Sequence, residues 1–106
     1  MRYGLSDATI NGIVSVLSRH PRIVRAILYG SRAKGTYRSG SDIDIVLDGH
    51  GIDFGELARI TSELDDLSTP YGFDISILSA IDNPALLDHI NRVGAQLFPA
   101  MPGEIS

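Results

Sequence analysis

A chain of 106 residues, 43% of them apolar and with a formal charge of −4, can bury one core and has little room for a second domain. The acidic balance excludes a general binder of phosphate backbones, which needs a basic surface, and suits a basic partner protein or a metal-bound ligand. Cysteine is absent, no apolar run nears the roughly eighteen residues that span a membrane, and the N-terminus shows no secretory h-region, so a cytoplasmic protein without disulfides or thiol chemistry is expected.

Ser6 or Asp7 caps a first helix running to about His20, with Ile10, Ile13, Val14 and Leu17 as its buried stripe. Pro21 closes it. The β-branched run IVRAILY, Ile23 to Tyr29, predicts a strand. A short helix over 31–34 is stopped by Gly35, and GTYRSGS reads as a loop. DIDIVL at 42–47 predicts a second strand. A helix over 53–68 places Phe54, Leu57, Ile60 or Thr61, Leu64 and Leu67 at helical spacing. YGFDISIL at 71–78 predicts a third strand. Asn83-Pro84 supplies an N-cap and a first helical residue for a last helix, with Leu86, Leu87, Ile90 and Val93 inward and Gly94 at its end. AQLF reads as a short final strand, and 99–106 as a mobile tail. The fold class expected is α/β: a small mixed sheet with helices packed against it, one domain over 1–98.

Strand periodicity puts Asp42 and Asp44 on one face and Ile43, Ile45 and Leu47 on the other. The apolar set fixes the register, so the carboxylates stay out of the core. Two anions this close call for a cation, and hard oxygen ligands suit Mg²⁺ or Mn²⁺. Asp74 alternates with Phe73 and Ile75, and shares the face of Asp42 and Asp44 if the third strand lies beside the second. Three such carboxylates can hold two ions about 4 Å apart, the arrangement for in-line phosphoryl or nucleotidyl transfer. Gly30 and Ser31 fall where the first strand gives way to the short helix. There a glycine admits a phosphate to the backbone, and free N–H groups with the Ser31 hydroxyl can hold it. Arg32, Lys34 and Arg38 follow and can neutralise triphosphate charge.

GSRAKGTYRSGSDIDIVL at 30–47 with FDISIL at 73–78 resembles the minimal nucleotidyltransferases of the DNA polymerase β superfamily. Their pattern is Gly-Ser, ten residues, Asp-x-Asp and a third carboxylate on a later strand; Gly30, Ser31, Asp42, Asp44 and Asp74 match it. The likeness extends from the first helix to about Phe98. It implies a polymerase β-like fold, ATP or another nucleoside triphosphate as donor, and two Mg²⁺ ions. Asp42 and Asp44 would ligate both ions. Asp74 would hold one and help deprotonate the acceptor hydroxyl, and Ser31 would bind donor phosphates. The minimal members commonly pair with an all-helical HEPN-type protein encoded nearby. In toxin–antitoxin versions they act as the antitoxin, which adenylylates the toxin. A hetero-oligomer is therefore expected, with nucleic acid not expected as direct substrate.

Other readings compete. Asp42 and Asp44 can be edge-strand solubility charges, Asp74 a solvent-facing residue, and Arg32, Lys34 and Arg38 solvated surface charges. Tyr37 can stack on a base or pack on its own domain. An EF-hand fails because Val46 stands where a ligand is needed, and a Walker loop fails because the lysine after its second glycine is missing. His20, His50 and His89 show no spacing that joins them into a site. At the level of function, the alternatives are a non-catalytic binding antitoxin and a homodimeric enzyme acting on small molecules.

Overall fold

The computed structural model describes residues 2–99. The tail expected over 99–106 lies, past Pro99, outside the described residues. Helix α1 (Asp7–Ser18) begins where the Ser6 hydroxyl accepts the Thr9 N–H at 3.1 Å. Strand β1 (Ile23–Tyr29) leads directly into the five-residue helix α2 (Gly30–Lys34), which Gly35 ends in a left-handed conformation, φ +85°. Strand β2 (Ile43–Gly49) starts one residue later and runs two residues further than its apolar run predicts. Helix α3 (Phe54–Asp65) is capped by Asp53, whose carboxylate accepts the Glu56 N–H at 2.8 Å. Strand β3 (Phe73–Ile77) is followed by a short 3₁₀ turn over Leu78–Ala80. Asn83 caps α4 (Pro84–Val93), and β4 (Ala95–Phe98) completes the described fold.

The four strands lie in the order β3-β2-β1-β4. β1 is antiparallel to β2 and β4, while β2 and β3 are parallel, so the sheet is mixed as expected. α1 and α3 cover one face. Ile43, Ile45, Leu47 and Leu28 reach across to Ile13, Leu17, Ile60 and Leu64, and all eight are fully buried. Side chains at alternate positions point to the other face, where Ile27, Tyr29, Val46 and Ile90 form a second, smaller cluster under α4. The apolar residues of the larger core fix the register that leaves the carboxylates on the smaller side.

Three expectations about burial change. Val16 is buried in place of Val14, because the inward face of α1 is centred on Ile13 and Leu17 and continues to His20. Phe54 is 85% exposed. It lies about a third of a turn round α3 from Ile60, off the face that enters the core. On α4 only Ile90 is fully enclosed. Leu86 packs against the smaller cluster, whereas Leu87 and Val93 stay half-exposed outside it.

His20, given no role by its spacing, is a structural bridge. It is buried between two carboxylates of α3, with Nδ1 3.4 Å from Glu56 and Nε2 3.1 Å from Glu63. It therefore ties the end of α1 to α3.

Candidate active site

The register of the sheet assembles the site. Asp44 lies opposite Tyr29 on β1 and beside Asp74 on β3, as cross-strand Cα partners. Partners in register share a face, so Tyr29, Asp44 and Asp74 form a row across three strands at the end of the sheet where β1 enters α2. Asp42 sits just before β2 and is exposed. Its carboxylate packs near Gly72, where an added Cβ would lie 2.8 Å from Oδ1.

The charges feel one another. Burial raises the Asp44 carboxyl above the usual range, and the Asp74 and Asp42 carboxylates raise it further, while His89 acts in the opposite direction. The Tyr29 phenol is also raised, chiefly by burial and then by Asp74 and Asp44, against a hydrogen bond with Ser76.

Among the described residues no three His, Asp or Glu side chains converge into a ready metal-holding group. Mg²⁺ does not require one: in nucleotide sites it is held by one or two carboxylates, with waters and substrate phosphates completing the shell. The adjacent Asp44 and Asp74, mutually repelling hard-oxygen donors, fit an ion bound in that way.

Gly30 has a role in the site beyond the one its position suggests. Its φ is +74°, and a Cβ there would overlap the Asp44 carboxylate. The glycine is needed so that backbone and carboxylate can touch. Nor is its N–H free for a phosphate: it donates to Nε2 of His89 on α4 at 3.1 Å. Ser31 follows at the second position of α2, half-buried. Gly30→Ala is expected to cost about 1–2 kcal/mol from backbone strain alone and to displace Asp44. Urea denaturation and nucleotide binding measured together check this, and an unchanged binding constant would show that the close approach is dispensable.

Arg32 is not available to a nucleotide. It is 2% exposed, and its guanidinium donates to the Ser41 carbonyl at 3.1 and 2.8 Å and to the Tyr3 carbonyl at 2.9 Å. Tyr71 and Tyr37 flank it at 4.5 and 5.2 Å. It holds the 35–42 loop in place, and Tyr37 packs on its own domain. Lys34 and Arg38 are exposed and lie outside this staple.

Sequence reasoning missed His89, Tyr29 and Ser76. Strand alternation was a usable signal for Tyr29, since it must face away from Leu28. For His89 no local signal exists, because its partner is 59 residues away.

The family model described as polymerase beta, nucleotidyltransferase matches residues 11–101. Comparison with curated proteins finds no match. Among solved structures, a toxin–antitoxin with AMP-PNP is similar at TM-score 0.72 and 23% identity over 87% of this chain and 74% of that one. A second, a tri-AMPylated Shewanella oneidensis HEPN toxin in complex with MNT antitoxin, gives 0.68 and 18% over 91% and 74%. A third, the toxin–antitoxin MntA-HepT, gives 0.68 and 20% over 90% and 74%. At these identities the likeness is one of fold.

Proposed function

The chain belongs to the polymerase beta nucleotidyltransferase family, and from that premise we propose that it transfers AMP from ATP to a hydroxyl of a HEPN-type partner protein, as the antitoxin of a toxin–antitoxin pair. The observation that carries the reading is the row formed by Asp44 and Asp74 against the Gly30–Ser31 turn. It sets hard-oxygen donors beside a small-residue turn, which is what positioning a triphosphate demands. The partner class rests on the similar structures, which are complexes of a toxin with its antitoxin, one of them with a tri-AMPylated HEPN toxin.

In the reaction the acceptor oxygen bonds to the α-phosphorus, the bond from that phosphorus to the bridging oxygen breaks, and pyrophosphate leaves. Divalent ions, when bound, supply charge neutralisation and polarise the attacking oxygen. Asp42, Asp44 and Asp74 would hold them. Ser31 orients the donor phosphates, and Lys34, exposed at the end of α2, offers them a positive charge. Asp74, at the outer strand of the sheet, accepts the acceptor proton at its carboxylate. Most of the rate gain is positioning and electrostatics.

The test is an intact-mass spectrum of the protein encoded next to this one, before and after incubation with this protein, Mg²⁺ and each nucleoside triphosphate in turn. A mass gain of one or more AMP units, only with ATP, is expected. A stable complex without mass gain would replace catalysis with simple covering of the partner. Modification of a small hydroxyl compound with no partner present would replace the protein acceptor.

A further inference from the structure

We infer that His89 is a positioning residue for the donor phosphates, an assignment that rests on the nucleotidyltransferase reading above. Its Nε2 accepts the Gly30 N–H at 3.1 Å. That bond requires the ring proton on Nδ1. The ring stands edge-on to Tyr29, centroids 6.3 Å apart and planes at 79°, and Tyr29 is itself 8% exposed. The imidazole is thus held on one side by an aromatic wall and on the other by the peptide it anchors.

The anchored peptide is the one that matters for the site. Gly30 adopts a positive φ and lies in contact with the Asp44 carboxylate. Ser31 follows immediately. Rotation of the Tyr29–Gly30 peptide would move the Ser31 hydroxyl and remove the surface on which Asp44 rests. His89 fixes that rotation from α4, an element that also lies against β1 and α2. It acts through Gly30 rather than on substrate, and links the seating of α4 to the geometry of the phosphate turn.

Three variants separate the hydrogen bond from packing. His89→Phe keeps the edge contact with Tyr29 and lacks the acceptor. His89→Gln retains an acceptor oxygen. His89→Ala removes both ring and acceptor. The readouts are the dissociation constant for ATP with Mg²⁺ by calorimetry, and hydrogen exchange of the Gly30 amide by NMR. His89→Phe is expected to weaken ATP binding roughly tenfold and to speed Gly30 exchange by a similar factor, as for loss of one hydrogen bond, with a melting temperature lowered only by that one bond. His89→Gln is expected to recover most of both, and His89→Ala to show the Phe defect with a lower melting temperature. Wild-type affinity and exchange in His89→Phe would overturn the assignment, as would a Gln variant no better than Phe. A wild-type protein that binds no ATP would overturn the parent reading and this one together.

Discussion

Asp44→Asn is expected to abolish nucleotidyl transfer while raising the melting temperature in metal-free buffer. The carboxylate is half-buried beside Asp74 and near Asp42, and its ionised form is disfavoured by burial first and by these two anions second. Asparagine keeps the shape and removes the charge. The sign follows from linkage. A carboxyl whose folded pKa is raised stabilises the fold while protonated, and that contribution is lost as pH rises through the folded value. Wild type and variant should therefore melt alike near the ordinary aspartate range, about pH 4, and diverge as pH rises, with the variant above.

Mg²⁺ should act on the wild type and not on the variant. An ion bound to the native state stabilises it by mass action, so at neutral pH added Mg²⁺ should raise the wild-type melting temperature and leave Asp44→Asn nearly unmoved. Thermal scans across pH with and without Mg²⁺, alongside the mass assay, check both halves. A variant with full turnover would remove Asp44 from the site. A variant that melts lower in metal-free buffer would make its carboxylate a structural acceptor.

Arg32→Lys is expected to destabilise the protein by about 3 kcal/mol or more, since hydrogen bonds to charged groups contribute roughly 1.5–3 kcal/mol each and the substitution removes at least two. The guanidinium spans the Ser41 and Tyr3 carbonyls while lying between two tyrosine rings. An ammonium cannot span both carbonyls or stack as a plane, so the exchange is not conservative here. It leaves a part-buried carbonyl unpaired and frees the 35–42 loop, which runs directly into Asp42. Urea denaturation should show the lost stability, and limited proteolysis should show cleavage within the loop. A loss under about 0.5 kcal/mol, inside the range of ordinary surface changes, would mean that the staple is dispensable.

Much of the fold was legible because its signals are local. Ser6 and Asn83 cap helices by bonding to N–H groups two or three residues on. The run Ile23–Tyr29 is a strand over the whole of its predicted span, since β-branched packing on a pleated surface needs no distant information. Alternation gave the faces of β2 and β3. The errors fall where a local pattern had to be projected onto a particular neighbour. Phe54 and Leu87 satisfy helical spacing, yet each stands off the face that meets the sheet. Arg32 looked like a free cation beside a phosphate turn. It is buried because Tyr3, then Tyr37 and Ser41 of the 35–42 loop, and Tyr71, from three separate places in the chain, close around it.

By itself the sequence determined the element order, the inward sides of β2 and β3, and the spacing of Gly30-Ser31 from Asp42 and Asp44 that carries the family likeness. These follow from short-range sterics, capping and periodicity, which act between residues a few positions apart. Only the tertiary structure decided that β3 lies parallel against β2, so that Asp74 meets Asp44. It alone brought His89 on α4 to Gly30 and turned Arg32 from a phosphate ligand into a staple. Those outcomes depend on which strands pair and which helix covers which face. Burial of the whole apolar set selects that arrangement, and no local stretch of the chain encodes it.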